Sequence, residues 1–359
     1  MPLSDPSPKL DVLEVPRVHV VVDSGDLTGE KTGVSVARVE VRHELGRPSS
    51  FLVETTDLTP ETIDWLDGSA VQEGHKAAIK MGWGEKTASV FAGEVVSLEL
   101  DVSTTKSPRI AIRGYDRLHR LLGARVTRTF LQRKDSDIAA DIAALHGMRA
   151  VVGKGTTIVH PYVMQSDQTD LAFLLARARP LGFTVRAEGT DLLFGPRRLS
   201  DDPVLTAELG KNLLALFIRT STLGLASGVT ARGWDPAEQQ EIVSELLASK
   251  LAELMGGDLS GLDIAEDRFG ALKTSAPGVP ILTAAAADLA AAAELQDLAL
   301  HHVGCEGRLV GAPALRPGDI VRIANFGRRF SGDYWLSRVV HVFDDDGFRT
   351  EFEGSRTAT

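Results

Sequence analysis

The chain has 359 residues, 43% of them hydrophobic, enough for roughly two to four domains with true cores and unlike a disordered composition. A formal net charge of -10 argues against a general nucleic-acid binder, and a single cysteine, Cys305, leaves no intrachain disulfide and fits assembly in a reducing compartment. The start, Met1-Pro2-Leu3-Ser4-Asp5, has no basic region followed by an apolar one, and no run approaches ~18 apolar residues, so neither a signal peptide nor stable membrane insertion is expected.

Residues 1–15, rich in Pro and Asp, read as an N-terminal arm. Alternating β-branched runs then mark strands at Val18–Val22, Val34–Val41 and Phe51–Thr55. Thr59-Pro60-Glu61 is a helix start running through Trp65. Further strands read at 77–83, 88–100 and 109–113, and the block 16–114 reads as a first β-barrel domain. Helical signals follow at Tyr115–Leu122, at Asp135–His146 with Ile138, Ile142 and Leu145 on one face, and at Gln168–Arg179, stopped by Pro180 and Gly182. With a hairpin across Gly189 these make 115–200 an α+β insertion domain.

Strands at 204–208, 213–222 and 227–234 come next. Residues 250–283 mix Gly, Asp, Ser and Pro with little period and read as a long, mobile connection, with Gly256-Gly257 and Pro277-Gly278-Val279-Pro280 as its weakest points. Ala284–His302 is a strong helix former. The last strands carry tight punctuation: Pro317-Gly318 suits a type II turn with φ > 0 at the glycine, and Asp346-Gly347 suits a hairpin. The expected fold is therefore β-rich α+β. Its second barrel is discontinuous, built from 201–249 plus 304–354, and 250–303 form the connection and helix.

Several motifs carry a resemblance. Leu315-Arg316-Pro317-Gly318-Asp319, Arg329-Phe330-Ser331-Gly332-Asp333-Tyr334, His341 and Gly347-Phe348-Arg349-Thr350 resemble the end of the phage late control D protein family, which is similar to the hub part of VgrG proteins. Gly114-Tyr115-Asp116-Arg117-Leu118, Gln165 through Asp170, Phe173-Leu174, Gly182-Phe183, Leu213-Leu214 and Gly233-Trp234-Asp235-Pro236 extend it in family order over residues 16–353. The resemblance implies two tube-like barrels in each chain and a homotrimeric baseplate hub of a contractile injection system. Implied partners are an inner tube protein, other baseplate proteins and a spike. A full VgrG continues into an oligosaccharide-binding-like barrel and a needle, which are not in this sequence, so the spike would be a separate polypeptide or absent.

The chemistry-bearing clusters point the same way. His301, His302 and Cys305 do not offer four convergent zinc ligands, because adjacent histidines face different sides of a helix. Asp344-Asp345-Asp346-Gly347 lacks a calcium loop's alternating spacing. Gly256-Gly257-Asp258-Leu259-Ser260-Gly261 lacks the lysine and glycine spacing of a phosphate loop. Glu61 and Asp64 share one short helix face, not a sugar cleft. Arg328 and Arg329, with Lys106, Arg109 and Arg113, suit pairing with acidic neighbours, and Trp65, Trp83, Trp234 and Trp335 suit core or interface anchors. No catalytic, cofactor or metal residue is assigned, and a non-enzymatic structural protein of a particle assembled in the cytoplasm is expected. The competing readings are a tail-associated cell-wall hydrolase, which an extra catalytic domain would mark, and a carbohydrate-binding β-module, which tryptophans exposed along one groove would mark.

Overall fold

Period-two alternation builds the first half. In the computed structural model, which describes residues 14–23, 25–29, 34–56, 71–105, 108–153, 156–276 and 280–359, Val39, Val41, Val53, Ile79, Met81 and Ile112 are buried on one face of successive strands. The strands are β1 (Pro16–Val22), β2 (Gly25–Asp26), β3 (Ser35–Glu44), β4 (Ser50–Thr56), β5 (Lys76–Trp83), β6 (Lys86–Asp101) and β7 (Arg109–Tyr115). They pair antiparallel in the order β3-β4-β7-β6-β5-β1-β2 around one apolar core.

The insertion follows as β8 (Arg125–Arg133), α1 (Asp135–Leu145), β9 (Arg149–Val152), β10 (His160–Thr169), α2 (Asp170–Ala178), β11 (Phe183–Glu188) and β12 (Asp191–Pro196). β8 and β10 form a two-stranded ribbon, and β11-β12-β9 a small mixed sheet. α1 and α2 fill the space between with Ile138, Ile142, Leu171 and Leu174. Phe130 of the ribbon stacks on Phe173 of α2, ring centroids 5.7 Å apart. This ribbon carries no apolar alternation, because Arg128 and Gln165 occupy inward positions, and the sequence reading assigned it no strands.

The second module draws on distant segments. β13 (Leu205–Ala207) and β14 (Leu213–Thr220) precede a smaller unit of β15 (Gly228–Asp235), β16 (Gln240–Leu247), α3 (Gly261–Phe269) and β17 (Lys273–Ser275). After α4 (Ala284–Leu300) come β18 (Val303–Val310), β19 (Ile320–Ile323), β20 (Gly332–Asp344) and β21 (Gly347–Arg356). β14-β18-β21-β20 pair in that order, and β20 also holds β19, which pairs with β13. Their shared core includes Leu213, Val303, Leu315, Tyr334, Leu336 and Phe352.

Three expectations change. First, among the described residues neither half closes into a barrel. β20 pairs with β3 through Phe343↔Val39 to Arg338↔Glu44, joining both halves into one open thirteen-stranded sheet. Second, residues 228–235 do not join the strands at 304–354. They pair with β16 and β17 in a separate three-stranded sheet that packs on α4, where Ser244 donates to Asp288 at 2.6 Å. Third, much of 250–283 is organised by residues far away. Met255 N–H donates to Thr357 Oγ1 at 2.7 Å, Ala358 N–H to Met255 O at 3.1 Å and Thr359 N–H to Leu259 O at 3.1 Å. The guanidinium of Arg356, fully buried, donates to the carbonyls of Gly256, Ser331 and Arg329 and lies 4.9 Å from the Tyr334 ring. Ser260 then caps α3 by accepting from Asp263 N–H. The arm at 1–13, the helix start at Thr59-Pro60-Glu61 with Asp64 and Trp65, Lys106, and residues 277–279 lie outside the described residues.

Candidate interaction surface

The two faces of the long sheet differ in chemistry because strand residues alternate sides. Opposite the cores lies a belt of Arg and carboxylates running from β18 to β6. Arg308 faces Glu351 across β18 and β21, and Arg338 faces both Glu353 on β21 and Glu44 on β3. Ion pairs link neighbours along the belt: Arg308–Glu351 at 3.3 Å, Arg349–Asp344 at 2.7 Å, Arg38–Glu40 at 2.6 Å, Arg42–Glu40 at 2.9 Å, Arg113–Glu99 at 2.8 Å and Arg109–Asp101 at 3.0 Å. Arg38 also reaches Asp344 at 3.5 Å, across the seam between the halves. Such half-exposed pairs each stabilise by about 0–1 kcal/mol, so the belt's main effect is a wetted, charge-balanced surface rather than stability.

Beneath the same seam sits a polar junction. His43 on β3 and His341 on β20 are buried, their rings edge-to-face with centroids 5.9 Å apart. His43 donates from Nε2 to Val90 O at 2.9 Å. His341 donates from Nε2 to Leu315 O at 3.2 Å, and its Nδ1 lies 3.0 Å from Thr350 Oγ1. Arg316 spans the halves, donating to Pro313 O and Leu315 O at 2.8 Å and to Ser89 O of β6 at 2.6 Å. Burial, reinforced by the Arg316 charge, pushes the His43 imidazole down to about 3 and His341 well below the ordinary range, so both are neutral. A cavity of about 250 Å³ opens beside them, lined by His43, Asp116, Arg186, Glu188 and Arg316. Burial pushes the Asp116 carboxyl up to about 6, although it accepts from Ser49 N–H at 2.9 Å and Leu118 N–H at 3.0 Å.

The motif around Gln165–Asp170 has a structural role. Asp170 opens α2 and accepts from Gln165 Nε2 at 2.8 Å, Arg128 at 2.5 Å and His146 Nε2 at 2.7 Å, His146 being the residue that ends α1. Reciprocally, Asp135 opens α1 and accepts from Arg177 of α2 at 2.6 Å and from His160 at 2.9 Å. The two helices are thus stapled at both ends. Burial acts to raise both carboxyls, but these hydrogen bonds outweigh it and hold them below the usual range.

Residues singled out in the sequence scatter. His301 is exposed at the end of α4, His302 is buried and donates from Nδ1 to Ser221 O at 3.0 Å, and Cys305 is buried on β18, its thiol pushed by burial up to about 12. Among the described residues no three His, Cys, Asp or Glu converge as metal ligands. Asp344 closes the β20–β21 hairpin by accepting from Arg349 and from Asp346 N–H. Gly256 lies against the Arg356 side chain. Arg109 and Arg113 pair with acidic neighbours on the belt. Trp83 donates to Gly311 O at 3.0 Å, Trp335 is buried, and Trp234 is 54% exposed on the small sheet, so the described tryptophans do not line one groove. The junction residues His43, Arg316 and His341 and the anchor Arg356 were not distinguished as such in the sequence. His341 and Arg316 fell inside quoted motifs, but the partners that explain them, His43 on β3 and Ser89 on β6, lie far away in sequence, as does Gly256 for Arg356.

The fold is that of phage tail proteins. The chain is similar to the 43 kDa tail protein of prophage MuSo2 from Shewanella oneidensis (TM-score 0.70, 13% identity, 95% of this chain and 98% of that chain). It is also similar to the tail protein from Neisseria meningitidis MC58 (TM-score 0.67, 17% identity, 95% and 97%). A further likeness is to the Escherichia coli c3393 protein (TM-score 0.58, 14% identity, 94% and 76%), a component of the type VI secretion system with structural similarity to the T4 tail proteins gp27 and gp5. At these identities the likeness is one of fold. No curated protein matches the sequence. A family defined as the Alg8 N-terminal domain matches residues 14–345, rather than the late control D family that the motifs resemble.

Proposed function

We propose that this chain, which belongs to the Alg8 N-terminal domain family, is a structural hub protein of a contractile injection apparatus, joining an inner tube to a central spike as a homotrimer. One observation carries the reading: the whole architecture, both sheet halves and the insertion between them, superposes on nearly the full length of the Shewanella prophage tail protein. The belt supports it. A wide face on which Arg and carboxylates pair with each other holds water and adheres weakly to whatever passes it, which suits a wall facing a bore. The continuous sheet supports it as well, since a hub that transmits sheath contraction has to move as one body. The two halves share the β20–β21 hairpin: Phe348 packs in the first core and Phe352 in the second.

Co-expression with tube and spike proteins of the same particle, followed by affinity purification and electron microscopy, tests this. A threefold ring seated between tube and spike is expected. Peptidoglycan release by the purified chain, lost on changing one carboxylate, would instead establish a hydrolase.

A further inference from the structure

The polar face ends at two free strand edges, and the two edges match. β14 pairs with β18 along one side and, among the described residues, meets no strand along the other beyond a single bridge from Leu213 to Leu209 at its start. Leu213 to Ile218 are six uncharged residues in a row, and Phe217 is 60% exposed. An apolar strand with unpaired N–H and C=O groups is a template for another chain, and edges left to solvent are usually blunted by charge or proline. The second edge is on β6. β5 pairs with it from Lys86 to Glu94 and β7 from Glu94 to Asp101, so residues 97–101 have a strand on one side alone among those described. Leu98 and Leu100, 37% and 58% exposed, lie on the face of their partners Ile112 and Ile110, which belong to the first core.

We propose that β14 of one copy pairs with the 97–101 edge of β6 in the next copy, so that the sheet and its polar face continue from chain to chain. The chemistry of both faces fits. Leu216 and Ile218 turn toward their own core, so aligning the core faces sets them beside Leu98 and Leu100. The same alignment sets Phe217 and Arg219 on the face of Glu99 and Asp101. Arg219 makes no ion pair among the described residues, and the carboxylates extend the alternation of the belt. Five residues of ladder span about 17 Å. Because the joined edges differ, the contact is head-to-tail and generates a ring when the rotation closes. The inference deepens the hub reading and rests on it for the number of copies in that ring.

Cysteine crosslinking tests it cleanly, since the native thiol Cys305 is buried. Phe217→Cys chains mixed with Ser97→Cys, Glu99→Cys or Asp101→Cys chains should give a crosslinked dimer in at least one combination, and neither partner should crosslink alone. Phe217→Lys, its fold checked by circular dichroism, should weaken self-association at least about tenfold. Self-crosslinking of Phe217→Cys would mean a symmetric contact and overturn the proposal. So would an oligomer with no crosslink in any of the three combinations, or a chain that stays monomeric at its highest soluble concentration. The last result leaves the hub reading to be judged separately, by whether the monomer still enters a complex with tube and spike.

Discussion

The two halves of the long sheet hold similar strands around similar cores, yet they are built in different ways. In residues 16–115 most partners are near in sequence, and β5, β6 and β7 follow one another as hairpins. In the second half β14 ends at Thr220 and finds β18 only at Val303, with a separate small unit inserted between. The first half is nevertheless not self-sufficient. Its edge strand β3 is covered by β20, and Phe348, from the last strand, completes its core. The contrast teaches that the β20–β21 hairpin, not the chain order, decides what unfolds together. A local sheet left with an open edge and a missing core residue depends on the C-terminal strands to finish it.

The strongest way to break that coupling is Phe348→Ala. It should cost about 3–5 kcal/mol, and fluorescence of Trp83, 5.8 Å from Phe348, should report the same transition as a probe in the second half. Two separated transitions in the unmodified protein would refute a shared hairpin. Arg356→Leu comes next, at about 3 kcal/mol, because it leaves three part-buried carbonyls without their charged donor. Hydrogen exchange should rise first around Gly256 and at 329–331, the two segments those bonds tie together. A local turn is worth less. Gly318 has φ +94, so Gly318→Val should cost about 1–2 kcal/mol by thermal melts. Asp319→Asn should cost less, since one oxygen can still accept from Arg316 N–H.

Acid should act at the seam. His43 and His341 are held below their ordinary pKa, so between about pH 6.5 and 3 the unfolded chain binds protons that the folded chain does not. Their contribution is complete above pH 6.5 and declines as pH falls. Asp116, raised to about 6, works in the opposite sense between its ordinary value and 6. Two imidazoles against one carboxyl predict a lower melting temperature at pH 5 than at pH 7, and His43→Gln should flatten that slope. A melting temperature unchanged from pH 7 to 5 would contradict it. Smallest of all, Arg38→Ala removes a 3.5 Å seam pair on a half-exposed face and should shift stability by no more than about 0.5 kcal/mol, whatever its effect on assembly.

Much of the fold could be read from the sequence, and the parts that could not share a cause. Val18, Val20 and Val22, the Ile138-Ile142 helix face, the stop at Pro180-Gly182 and the turn at Pro317-Gly318 act through neighbours a few residues away, and such signals are carried locally by periodicity, caps and φ preference. The resemblance added the order of the parts. What the sequence by itself determined, then, was a β-rich chain with an α+β insertion and a C-terminal set of strands. Which edges meet was decided by the tertiary structure alone. The joining of β3 to β20, the anchoring of 255–260 by Arg356 and the neutral His43–His341 pair each depend on groups a hundred or more residues apart, and the diversion of 228–235 into its own sheet turns on its choice of the neighbouring β16 and β17 over the C-terminal strands. Strand pairing is selected by shape and by the removal of apolar surface from water, and neither leaves a mark on the local pattern of either strand.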